Sequence, residues 1–165
     1  MKFSVCIFVL FLSTIALAQP TLEMTAKGFP PVELPLPNKP NEKLIEASKA
    51  WAATYNKRGY DVYDVTSNSL KIDGIKKNAY IYRNLGETFT YNIKYTLEVY
   101  FNSDKTYTLA FSVKQIYLKE APVQTTIADF FMPDGSLKED FTDVKPSLED
   151  TANKIAASYS GFIMN

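Results

Sequence analysis

The hydrophobic periodicities of this chain predict an α+β fold, an antiparallel sheet covered on one face by two helices. Tyr91, Ile93, Tyr95, Leu97, Val99 and Phe101 alternate with Asn92, Lys94, Thr96, Glu98 and Tyr100. Successive side chains of a strand point to opposite faces, so this segment has one apolar face and one mostly polar one. Asn102-Ser103-Asp104-Lys105 turns the chain, and Tyr107, Leu109, Phe111 and Val113 repeat the pattern, giving an antiparallel hairpin with a single dry face. Two other segments recur at intervals of three and four: Leu44, Ile45, Ser48, Trp51, Ala52 and Tyr55, then Leu148, Thr151, Ala152, Ile155, Ala156 and Tyr159. A one-sided sheet needs a cover, and these two helical stripes supply it.

The remaining elements come in order along the chain. Six of the nine prolines fall between Pro20 and Pro40, which predicts an extended lead over residues 19–32 that cannot form a long helix. Val32-Glu33-Leu34-Pro35-Leu36 alternates, and Pro35 and Pro37 confine a strand there to a sheet edge. Asn38 or Asn41 caps the first helix, and Gly59 after Lys57-Arg58 stops it. Tyr60 to Thr66 and Ser69 to Ile75 read as a hairpin around Ser67-Asn68. Beyond Ile75 the period is lost until Tyr91, an irregular stretch between strands or, at its plainest, one more short strand with half-packed tyrosines. A long connection from Lys119 to Lys145 carries Phe130-Phe131-Met132, apolar enough to pack onto its own domain, and the turn Pro133-Asp134-Gly135. Pro146 opens the last helix, with Glu149 and Asp150 in its first turn and Gly161 as its stop. The expected order is β-α-β-β-β-β-α, in one domain over residues 33–160 with a tail at 161–165.

Composition narrows the chemistry. Met1-Lys2, the apolar run Phe3 to Leu17 and Ala16-Leu17-Ala18 before Gln19 form a secretory signal pattern over residues 1–18. Its removal takes the sole cysteine, Cys6, and the chain has no histidine, which deletes the commonest nucleophile–base pairs, disulfides and zinc ligands. The expectation is an exported protein, periplasmic or extracellular, with no cofactor, no structural metal and no membrane insertion once the signal is gone. Basic and acidic residues balance at 18 each, an overall neutrality that argues against nucleic acid or anionic lipid as a partner, since both would favour a basic patch.

The signal ending in Ala18-Gln19, a helix carrying Trp51, the strand Leu70-Lys71-Ile72-Asp73-Gly74-Ile75 and the hairpin from Tyr91 to Val113 together resemble domain of unknown function 4468 in layout, over roughly residues 30 to 160. That resemblance implies an exported protein of the Bacteroidota with a TBP-like fold, a curved antiparallel sheet with two helices on one face. It supplies no catalytic residue.

Acidic residues gather at Asp134, Glu139, Asp140, Asp143, Glu149 and Asp150, but their spacing lacks the alternating ligands and closing Glu of a calcium loop. The scattered glycines suit turns and caps, not a phosphate loop. Tyrosine is in excess, and Tyr55, Tyr91, Tyr95, Tyr107 and Tyr159 fall on predicted core faces. Lys76, Lys77, Tyr80, Tyr82 and Arg83 fall in the stretch after Ile75, and their composition suits contact with a protein, peptide or glycan of the cell envelope. The sequence thus points to an exported non-catalytic binding or accessory domain. A hydrolase using carboxylates or a Ser-Lys pair and a structural envelope component are the alternatives.

Overall fold

The computed structural model describes residues 21–165; the signal segment, Cys6 and the Ala18–Gln19 junction lie outside the described residues. The elements are β1 (Val32–Pro35), α1 (Asn41–Asn56), β2 (Asp61–Tyr63), β3 (Ser69–Asn84), β4 (Glu87–Phe101), β5 (Thr106–Leu118), β6 (Ala121–Val123) and α2 (Val144–Met164). Apart from the three-residue β6, this is the expected order. The sheet is antiparallel and runs β1-β5-β4-β3-β2, with β6 added at the far end of β5.

Both helices lie on the face carrying Tyr95 and Tyr107. The Tyr95 hydroxyl donates to Asn56 Oδ1 at the end of α1 (2.9 Å) and the Tyr107 hydroxyl to Ser160 Oγ on α2 (2.8 Å). The helices are joined to each other by Trp51, whose indole N–H donates to Ser158 Oγ, and by the buried hydroxyls of Ser48 and Tyr159, 2.8 Å apart. Leu44, Ile45, Trp51 and Ala52 of α1 and Leu148, Ala152, Ile155, Ala156 and Tyr159 of α2 are buried with Leu70, Ile72, Leu97, Val99 and Leu109 from the sheet, while Tyr55 at the end of the α1 stripe is half-buried; each buried aliphatic side chain contributes about 1.5–3 kcal/mol by leaving water.

Two irregularities re-aim side chains. On β5 the register slips between the pairs Lys94↔Gln115 and Tyr95↔Val113, so Ile116 joins Val113 on the core side although the two are three residues apart. On β3 the slip falls between Lys76 and Tyr80. Asn78 has φ 53 there and donates its N–H to Asn92 Oδ1 (2.9 Å). Beyond it Ala79 and Ile81 lie against α2, where Thr151 Oγ1 donates to the Ala79 carbonyl and the Ile81 N–H donates to Ser147 Oγ. The stretch after Ile75 is therefore not irregular: β3 continues to Asn84, and the extra residues of the bulge are what erase its period of two.

Several boundaries differ from expectation. Neither Asn38 nor Asn41 caps α1; Pro40 occupies the N-cap without a side-chain bond and Asn41 is the first helical residue. The helix ends at Asn56 because Lys57 turns to φ 57, with its N–H on the Ala53 carbonyl, two residues before Gly59. Helix α2 starts at Val144 and runs through Gly161 to Met164, burying Ile163. Pro146 thus lies inside its first turn, and Glu149 and Asp150 lie in its second. The lead is extended but belongs to the core. Leu22, Met24 and Phe29 are buried, the N–H groups of Leu22 and Met24 donate to Asn153 and Glu149 on α2, and Phe29 packs edge-on against Phe111. In the connection, Phe130 and Phe131 are buried at a 3-10 turn over Ile127–Phe130, whereas Met132 is half exposed.

Candidate functional site

The end of α1 and the start of the β3 bulge enclose an open depression of about 670 Å³, lined by Tyr55, Asn56, Lys57, Arg58, Gly59, Ile75, Lys76 and Lys77. One wall is the left-handed exit of α1, with positive φ at Lys57 and Gly59. The other is β3, which at this point has run past its pairing with β2, since that pairing stops at Asp61↔Asp73. Ile75 Cδ1 reaches to 3.5 Å from where a Cβ on Gly59 would sit, which closes the floor between the walls.

Four cations line this depression and no carboxylate does. Among the described residues, Lys71, Lys94, Arg83 and three other lysines are in ion pairs, but Lys57, Arg58, Lys76 and Lys77 have no carboxylate within 4.0 Å. Lys57 and Arg58 lie where a helix C-terminus favours positive charge. Lys76 and Lys77 have no such reason. Lys76 is held over the Tyr55 ring, Nζ 5.6 Å from its centre, and the ring is stacked on Trp51 at 5.0 Å. A cation over an aromatic face is attracted by about 0.5–1 kcal/mol at an exposed site, so the ammonium is positioned as well as exposed. In an even strand Lys76 and Lys77 would point to opposite faces; the bulge that begins at Lys76 brings both to one depression.

The polar groups beside the cations are already engaged. Asn56 gives its amide N–H to the Ala52 carbonyl and accepts from Tyr95. The side chains facing the depression are thus almost all donors.

The other residues expected from the sequence to form a contact site lie apart from this depression. Tyr80 is 3 % exposed, stacked on Tyr91 at 4.9 Å and edge-on to Phe130, and burial pushes its hydroxyl well above the usual phenol range. Tyr82 packs between Phe89 and Phe141. Arg83 is exposed and pairs with Asp143 at 2.9 Å. Sequence reasoning missed Lys57-Arg58, which looks like the mere approach to a helix stop. The available signal was the recurrence of a basic pair at Lys76-Lys77, but only the hairpin return of β2 and β3 brings the two pairs together.

Elsewhere the polar groups hold the fold. On the open face of the sheet, Asp73 accepts from Thr96 Oγ1 (2.6 Å) and Tyr63 (3.1 Å) and pairs with Lys94 Nζ (3.2 Å). Thr96 is 3 % exposed and its proton is on Asp73, so this Thr-Asp-Lys cluster presents no free nucleophile. Four of the six acids gathered over residues 134–150 are each held by partners of their own: Asp134 by Ser136, Asp143 by Arg83, Glu149 by Lys145 and the Met24 N–H, Asp150 by Lys154. A second open hollow, about 730 Å³ at the β4–β5 turn, is lined by Asn38, Asn41, Asn68, Tyr100 and Asn102. There the Asn102 amide already donates to Glu33, Thr106 and Thr108.

Among the described residues no helix is long and apolar enough to cross a membrane. No protein-family model matches the chain, and no curated protein does. Solved structures do. A DUF4468 family protein from Bacteroides ovatus superposes with a TM-score of 0.56 at 8 % identity, over 82 % of this chain and 84 % of that one. A TBP-like protein from Parabacteroides distasonis gives a TM-score of 0.46 at 13 % identity, over 80 % of this chain and 83 % of that one. At such identity the Bacteroides likeness is one of fold, and at that level the resemblance drawn from the layout of the sequence holds.

Proposed function

We propose that this protein is an exported, non-catalytic binding domain that holds an anionic partner in the basic depression at the end of α1. The observation that carries the proposal is the convergence of Lys57, Arg58, Lys76 and Lys77, from two separate elements, on a concavity with no carboxylate in its lining. Uncompensated like charges repel, and a fold tolerates their clustering most readily where an opposite charge visits. Export rests on the charge, apolar run and small-x-small exit of residues 1–18. The two strongest constellations for chemistry, Asp73 with Thr96 and Lys94 and the acids of α2, are closed by their own hydrogen bonds, which favours binding over hydrolysis.

Calorimetric titration of the chain from Gln19 onward with poly-glutamate and, separately, with tripolyphosphate tests this. At least one anion should bind, more weakly as salt rises, and the triple change Lys57→Glu, Arg58→Glu, Lys77→Glu should abolish the heat without lowering the melting temperature. Silence with both anions sinks the proposal.

A further inference from the structure

Resting on the binding function proposed above, we infer that the basic depression takes a compact, multiply charged oxyanion of the phosphate or sulfate type, not an extended acidic chain and not a neutral sugar. Three observations lead there.

The first is length. The walls are residues 55–59 and 75–77, and three residues of strand span about 10 Å at most. An extended acidic peptide presents carboxylates on one side only every second residue, roughly 7 Å apart, so one or two of its charges would meet four cations. A phosphate monoester carries about −1.5 to −2 charges and three acceptor oxygens on one centre. A single such group, or two linked, can accept from both walls at once.

The second is donor inventory. Lys57, Lys76 and Lys77 bring three N–H donors each and Arg58 five, and none of the four accepts. Asn56 is closed on both sides by Ala52 and Tyr95. A saccharide hydroxyl, which must also donate, finds few acceptors here, whereas an acceptor-only oxyanion matches the site. The aromatic ring that a sugar would stack on is used as well, since Tyr55 has Trp51 on one face and carries Lys76 over its ring.

The third is preorganisation. The bulge that turns Lys77 toward Lys76 is pinned from two sides, by Asn78 N–H on Asn92, which in turn donates to the Lys119 carbonyl, and by Thr151 on the Ala79 carbonyl. Bulges of this kind re-aim side chains beside functional sites. A solvated charge run would not need its backbone fixed from two other elements.

The phosphate could be free in solution or displayed as a headgroup on a lipid. The experiment titrates the mature chain with tripolyphosphate and with poly-glutamate by calorimetry, and measures cosedimentation with phosphatidylcholine vesicles with and without one-fifth phosphatidic acid. Tripolyphosphate is expected to bind more tightly than poly-glutamate at equal charge. The triple variant Lys57→Gln, Lys76→Gln, Lys77→Gln should weaken it roughly tenfold or more, and Arg58→Lys, which keeps the charge and loses the planar fork, should weaken it by a smaller factor. Cosedimentation dependent on phosphatidic acid identifies a headgroup source; its absence beside tight tripolyphosphate binding identifies a soluble one. If poly-glutamate binds as well or better, the oxyanion inference falls while the binding function stands. If neither anion binds, both fall. Tripolyphosphate binding that is unchanged in the triple variant places the site elsewhere and overturns the inference.

Discussion

Gly74 and Tyr95 are cross-strand partners, and the Tyr95 ring occupies the space that a side chain at position 74 would need. A Cβ there would lie 2.6 Å from the Tyr95 hydroxyl and 2.5 Å from Asn56 Oδ1. The glycine is therefore what lets the Tyr95–Asn56 hydrogen bond tie the end of α1 to the middle of the sheet. Gly74→Ala should lower stability by about 1–3 kcal/mol through overpacking, read from chemical denaturation. Gly161, inside α2 with open space around it, is the control: Gly161→Ala should leave stability unchanged or raise it by up to about 1 kcal/mol. Equal responses at the two positions would contradict the packing described.

Alternation along β4 suggests that Leu97 is sensitive to charge and Thr96 tolerant, yet the structure makes both sensitive. Leu97 is fully buried in the core. Thr96, on the opposite face, is nearly as buried and donates to the Asp73 carboxylate, so Thr96→Asp sets two carboxylates against each other. Leu97→Asp and Thr96→Asp should both unfold the domain at ambient temperature, while Thr90→Asp, at an exposed position of the same strand, should be mild. Circular dichroism melts of the three variants decide it; a stable Thr96→Asp would remove Asp73 from the account.

Burial pushes the Asp73 carboxyl up, but the hydrogen bonds from Thr96, Lys94 and Tyr63 outweigh it and hold the group below the usual range. A depressed acid contributes stability that is fully present above its unfolded value, about 3.9, and is lost as pH falls through its folded value. Asp73→Asn should therefore reduce stability at neutral pH and flatten the loss of stability below about pH 4. An unchanged acid limb in the denaturation profile would show that the network is not what titrates.

Tyrosines behave in the opposite sense. Burial raises the hydroxyls of Tyr80, Tyr95, Tyr107 and Tyr159, and a neutral acid with a raised folded value stabilises below its unfolded value, about 10, and loses that contribution as pH climbs toward the folded one. In the absorbance of the tyrosinate band these four should appear only together with unfolding. Smooth titration of all eleven tyrosines below the unfolding transition would contradict their placement.

The stripes of α1 and α2, the dry face of β4 and that of β5 as far as Val113 are legible in the sequence because each lies on an uninterrupted period, and burial alone fixes such a face. The length of β3 is not, because three residues, Lys77 to Ala79, oppose the single Asn92 between two regular stretches of pairing, and a period of two does not survive such an insertion. The start of α2 is hidden by Pro146, which suits any position in a first turn. For the candidate site, Lys76 and Lys77 group with Tyr80, Tyr82 and Arg83 in the sequence because they are neighbours along the chain. Their neighbours in space are Lys57 and Arg58, and that proximity is created by the β2–β3 hairpin together with the bulge.

The far end of β3 gives the last prediction, which separates packing from contact. Tyr82 is wedged between Phe89 and Phe141, and Phe141 in turn meets Phe130, on which Tyr80 packs, so the ring belongs to an aromatic chain that ties the 119–145 connection to the sheet. Tyr82→Ala should cost about 2–4 kcal/mol by opening that chain. Arg83, a residue away, has only an exposed pair with Asp143, and Arg83→Ala should cost no more than about 1 kcal/mol. If binding of an anion at the end of α1 is the function, both variants should bind tripolyphosphate with wild-type affinity at a temperature where each is folded. Arg83→Ala weakening that binding without destabilising the fold would move the site along β3 to the hairpin tip.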